Sequence, residues 1–164
     1  MPLYSLKNDG PKGVFYPVQS FSKKRDIDFS KIPVCIESDT QKGITLLEQF
    51  GEKLKTPLHH TVSAQRLALH IAAVFANNFA NHCYVQAEKV CSQNGIPFDL
   101  LRPLISETVN KIYTISPLEA QTGPAVRNDM ESINNHLNQL KSKHQKELYS
   151  FLTQSIQYHG KNEL

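Results

Sequence analysis

The chain has 164 residues, of which 40% are hydrophobic and 20% charged, the composition of a soluble globular protein: one domain, or a small one with an attached fragment. Its net charge of +3 and pI near 8.7 are mild, and Lys23-Lys24-Arg25 is the only run of three basic residues, which argues against a nucleic-acid partner. No stretch reaches the ~18 apolar residues of a membrane span and the N-terminus lacks a signal-peptide core, so the expected location is the cytoplasm.

The predicted elements change character near residue 62. Val14-Phe15-Tyr16-Pro17-Val18, rich in β-branched and aromatic residues, reads as a strand whose proline marks an end or an edge. Pro33-Val34-Cys35-Ile36-Glu37 is a second strand, continuous enough in hydrophobicity to be covered on both faces. Ile44, Leu47, Phe50 and Leu54 give helical spacing to Thr40–Lys55, and His59–Val62 is a third strand. Strand, helix and strand with short connections form a βαβ unit, part of a parallel sheet. Three strands and one helix leave at least one sheet face to be covered by another subunit or by upstream sequence. No Gly-x-Gly-x-x-Gly turn is present to cradle a pyrophosphate.

Beyond residue 62 the strand signal disappears. Ser63 caps a long helix to Asn94, closed by Asn94-Gly95. This helix is apolar on nearly every side, which predicts burial. A second helix spans Pro97–Ile115, with Pro103 tolerated early or marking its true start. Ser116–Asn128 is a loop, Asp129 caps a third helix through Leu140, and His144–His159 is a fourth, followed by a frayed Gly160–Leu164. The final Lys161-Asn162-Glu163-Leu164 resembles an ER-retrieval tail by accident. Cys35, Cys83 and Cys91 are expected as buried small hydrophobes in a reducing compartment.

The candidate site residues fall in three places. His70, Asn77, Asn78, Asn81 and His82 interrupt the long helix, and at ~100° per residue Asn77 lies ~20° from His70. Asparagines in one turn cost helix stability, so tertiary contacts or a ligand must repay them. Either they satisfy one another and the backbone, or they form a cleft wall in which His70 exchanges a proton and Asn77 or Asn78 holds an oxygen. The second place is Gln121-Thr122-Gly123-Pro124, followed by Arg127, where a guanidinium, an amide and a hydroxyl share one turn suited to a carboxylate or phosphate. Its plain alternative is a turn, an Arg–Asp surface pair and an N-cap. The third is Lys111, either an i,i+4 partner of Glu107 or a proton donor. His70 and His82 are about 18 Å apart along the helix, so no metal site is expected.

These segments together resemble a known family. Gly13-Val14-Phe15-Tyr16-Pro17-Val18-Gln19-Ser20-Phe21-Ser22 is similar to a late Rossmann strand of NAD(P)-dependent oxidoreductases with a C-terminal DUF2520 domain. Leu69–Phe79, Pro103–Ile105 with Glu107 and Thr108, and Gln121–Ala125 with Arg127 and Asp129 look like three successive segments of that domain. The resemblance implies an α+β chain: residues 1–62 as the end of a Rossmann-like domain, without its Gly-rich turn, then residues 63–164 as an all-α domain similar to the C-terminal domain of 6-phosphogluconate dehydrogenase. It further implies NADP or NAD as cofactor, an unidentified small-molecule substrate and a homodimer through the helical domain. Wider relatives use a lysine on the long helix; here Gln65, Arg66 and His70 stand near its start, and His70 is the expected substitute. The chain would then be a fragment or truncated form of a reductase, its helical half closing the substrate side of the cleft. The alternative is a non-catalytic homodimerisation or scaffold module that binds no cofactor.

Overall fold

The computed structural model describes residues 2–7, 10–23 and 26–162, with the backbone alone for 160–162. Lys24 and Arg25 of the basic run, and Glu163 and Leu164 of the tail, lie outside the described residues. The architecture is α+β, a three-stranded sheet accompanied by helices. Two compact units are present, one ending at His82 and the other running from Cys83.

The first unit is built on the sheet, in the order β1 (Gly13–Pro17), β2 (Val34–Ser38), β3 (Leu58–His60). β2 and β3 are parallel, with Cys35 opposite His59, and α1 (Gln41–Leu54) joins them as the expected βαβ unit. β1 pairs antiparallel to β2, Tyr16 opposite Cys35, so the sheet is mixed rather than parallel throughout. Among the described residues, the connection from β1 to β2 holds a short 3-10 turn at Phe29–Lys31 and no crossover helix of the kind parallel neighbours need. Pro17 closes β1 at the sheet's edge, where a missing N–H costs no ladder bond.

Val34, Cys35 and Ile36 of β2 are fully or almost fully buried. On one face Phe15 packs edge-on against Phe50 of α1, ring centroids 5.0 Å apart. Gly51 lets α1 approach β3 closely, because a Cβ there would lie 2.5 Å from a Leu58 methyl. Side chains alternate along a strand, so Tyr16 and Glu37 project to the opposite face. There they meet α2 (Ser63–Ala73), Tyr16 bonding to His70 and Glu37 to Ser63 and Arg66. The expectation of an uncovered sheet face therefore fails for the middle strand: α2 returns over the face that α1 leaves open.

Val62 occupies the N-cap of α2, its N–H satisfied by the Gln65 side chain at 3.0 Å. Ser63, expected as the cap, instead donates its N–H and hydroxyl to Glu37 and accepts from Leu3 N–H. α2 does not continue as α-helix. Val74–Phe79 forms a π-helical turn before α3 (Ala80–Gln93) begins. Nor is the apolar surface buried: Leu67, Ile71, Phe75 and Phe79 are 61%, 52%, 65% and 51% exposed. No element of the described residues covers this row, so the periodicity reported an apolar surface and not a buried one.

The second unit contains a 3-10 turn at Phe98–Leu101, α4 (Arg102–Lys111), α5 (Met130–Gln139) and α6 (Lys143–Asn162). Pro103 lies at the start of α4, where its missing N–H is harmless. Asp129 caps α5 by accepting from Ser132 N–H at 3.0 Å. α6 extends through Asn162, beyond the predicted end at His159. Cys35 and Cys91 are buried as expected, whereas Cys83 is exposed on α3.

Candidate functional site

The first unit contains a cleft of about 520 Å³ between the end of β1 with the residues after it and the α2/π-helical segment. Tyr16, Gln19 and Ser20 line one side, and His70, Asn77 and Asn78 the other. The π-helical turn explains how Asn78 reaches the cleft. In an unbroken α-helix Asn78 would stand about 80° around the axis from His70. One extra residue in the turn takes up about 100° of that progression, bringing Asn78 to within about 20° of the His70 line. Single π-turns inside helices recur at functional sites, where they re-aim side chains in this way.

His70 is held by the sheet. Tyr16 Oη lies 3.1 Å from its Nδ1, with ring centroids 6.3 Å apart and ring planes at 75°. The start of α2, one turn earlier, is fixed by Glu37. Burial pushes the Glu37 carboxyl up, but hydrogen bonds from Arg66 and Ser63 and the Arg66 charge outweigh it and hold it below its ordinary value. Tyr16 and His70 also border a second cleft of about 390 Å³, shared with Tyr4, Arg66 and Leu67, so the pair stands as a partition between two hollows.

The other predicted residues belong to the second unit. Lys111 lies 3.7 Å from Glu107 in an exposed i,i+4 pair. Gln121 donates to the carbonyl of Thr122 at 3.0 Å and lines a hollow with Pro117, Leu118 and Val126. Gly123 turns the chain with φ +111°, a conformation side chains rarely adopt. The turn closes through Asp129 N–H to Pro124 carbonyl at 2.9 Å. Arg127 is exposed and makes no ion pair with Asp129 among the described residues. Side-chain and backbone bonds from Ser132 hold the Asp129 carboxyl low, with a smaller contribution from the Arg127 charge. The turn and N-cap are thus present without the surface pair.

The structure brings His70, Asn77 and Asn78 together in one cleft and places Lys111, Gln121, Thr122, Gly123 and Arg127 in the other unit. Sequence reasoning missed Tyr16, taken only as a strand aromatic. Its place next to a strand-ending proline was legible, but its pairing with a histidine 54 residues away was not. Among the described residues no group of three His, Cys, Asp or Glu could hold a metal ion, and no helix is long and apolar enough to cross a membrane.

The profile of a family described as "Domain of unknown function (DUF2520)" matches residues 32–156. None of the curated proteins matches the chain. Among solved structures it is similar to "putative NADP oxidoreductase BF3122 from Bacteroides fragilis", with 39% identity and a TM-score of 0.91, over 96% of this chain and 62% of that one. Protein TM1727 from Thermotoga maritima is similar in fold, at 20% identity and a TM-score of 0.72, over 93% of this chain and 62% of that one. The chain thus spans 62% of the length of both solved structures.

Proposed function

The chain belongs to the DUF2520 family, and on that premise we propose that it is the C-terminal portion of an NAD(P)-dependent oxidoreductase, providing the substrate side of the cleft and a homodimer interface. The observation that carries this reading is the gathering of His70 on α2 with Asn77 and Asn78 on the π-helical turn in one cleft beside Tyr16. The domain boundary at residue 62 belongs to the same proposal.

The residues at hand do not fit the dinucleotide's pyrophosphate. The βα junction from β2 to α1 has one glycine, Gly43, whose N–H is already taken by Thr40 Oγ1 at 3.1 Å. A Cβ added at Gly43 would collide with Ser38, so the glycine serves a close internal contact and not a phosphate. We assign this chain the substrate, held by the imidazole of His70 and the amides of Asn77 and Asn78. The second unit adds Gln121, Thr122, Gly123 and Arg127 as its own candidate for an anionic substrate group, with Lys111 as a further proton donor.

A row of exposed apolar side chains, Leu67, Ile71, Phe75 and Phe79, favours the homodimer. A scaffold that binds no cofactor is the competing reading. Titration calorimetry of NADPH into the protein made from its complete reading frame separates the two. Saturable binding is expected; its absence at millimolar cofactor would leave only the scaffold.

A further inference from the structure

We infer that Tyr16 is a positioning residue that makes the other ring nitrogen of His70, a residue lining the 520 Å³ cleft, a constant hydrogen-bond donor, so that the group received there is a bare acceptor, a carbonyl or carboxylate oxygen. This rests on the reading of the cleft as a substrate wall.

Tyr16 Oη and His70 Nδ1 are in hydrogen-bonding contact at 3.1 Å. A phenol is a good donor and a poor acceptor, and an unprotonated imidazole nitrogen is a good acceptor. In the neutral ring the Tyr16 hydroxyl therefore donates to Nδ1, which leaves the ring's own hydrogen on Nε2. In the protonated ring Nδ1–H donates to the phenol oxygen instead, and Nε2 keeps its hydrogen. Across both charge states Nε2 is an N–H. Among the described residues nothing hydrogen-bonds to it, because the only partner of this imidazole is Tyr16.

Both partners are set by elements that do not depend on a ligand. Strand alternation sends Phe15 to the α1 face and Tyr16 to the α2 face. His70 lies one turn after Arg66, which Glu37 fixes to β2. The amides of Asn77 and Asn78 can rotate to give or to accept, so they do not discriminate. His70 does: a keto or carboxylate oxygen satisfies its N–H, whereas an ammonium group placed there would meet donor against donor.

The tautomer of His70 can be read directly from long-range proton–nitrogen correlation spectra of the ¹⁵N-labelled full chain at about pH 8.5, where an ordinary imidazole is neutral. A His70→Gln variant assigns the signals. The expected wild-type spectrum has the hydrogen on Nε2 and a hydrogen-bonded Nδ1; Tyr16→Phe loses the Nδ1 shift and relaxes toward a mixture of tautomers. A wild-type His70 protonated on Nδ1 overturns the inference, as does a folded Tyr16→Phe protein whose His70 signals match wild type. If Tyr16→Phe does not fold, the wild-type spectrum alone decides. The measurement needs no cofactor, so a wrong tautomer and a failure to bind NADPH are separate results.

Discussion

Arg66 donates to the carboxylate of Glu37, joining the first turn of α2 to the end of β2 with both side chains largely buried. Ser63 adds its N–H and hydroxyl to the same carboxylate, at 3.0 and 2.9 Å. The segment that carries His70 is thus oriented against the sheet by one acidic side chain.

Acid should weaken this clasp. The Glu37 carboxyl is held below its ordinary 4.5 in the fold, so its stabilisation is fully present above that value and is lost as pH falls through the folded one. Glu37→Gln should remove that part of the acid sensitivity. It should also cost about 3 kcal/mol at neutral pH, because the largely buried Arg66 loses its carboxylate partner. Urea denaturation of both proteins across the acid range provides the check; identical pH profiles would contradict it.

Thr56 offers a cleaner test of one buried bond. Its hydroxyl donates to the carbonyl of Ile32, just before β2, and both residues are buried. Thr56→Val keeps the shape and removes the donor, so unfolding free energy should drop by about 1–2 kcal/mol. An unchanged urea midpoint would mean that Ile32 finds another partner.

Asp129 accepts from the Ser132 N–H and hydroxyl at the start of α5. Asp129→Asn should keep most of the cap, and Asp129→Ala should lose it. The urea midpoint is therefore expected to fall in the order aspartate, asparagine, alanine. Because this carboxyl is held low, the advantage of aspartate is present above the ordinary carboxylate range and disappears as pH falls through the folded value.

Asn77 separates a structural role from a ligand-binding one. Among the described residues no hydrogen bond from its side chain is present, and it is exposed on the cleft. Asn77→Ala should leave thermal stability unchanged or raise it by roughly 0.5 kcal/mol through helix propensity. If the cleft holds a substrate as proposed, turnover by the protein should fall in this variant. A large loss of stability would show that the asparagine holds the fold.

The apolar row is tested by light scattering. A homodimer is expected for the wild type, and Ile71→Glu with Phe75→Glu should give a folded monomer, because charge on these half-exposed side chains penalises only a buried partner surface. A monomeric wild type at micromolar concentration would remove the dimer.

What the sequence made legible follows from where each signal resides. Val34-Cys35-Ile36 predicted a covered strand because hydrophobic continuity is local, and Asp129 was readable as a cap for the same reason. The antiparallel direction of β1 depends on how the chain returns, although the lack of helical periodicity before Pro33 was a usable hint. The π-helical turn left no trace, since Phe75 and Phe79 four residues apart suit an ordinary helix too. His70, Asn77 and Asn78 stood out as polar residues on an apolar helix, but Tyr16 is tied to them only through a pairing distant in sequence.

The stretch Val74–Phe79 also acts as a length gauge. Deleting one residue there would let the backbone settle into an ordinary α-helix while residues 80–82 keep their present orientation relative to His70, because the turn already takes up one extra residue. At this point of the chain a gap of one residue alters the local winding and not the course of the helix just beyond it.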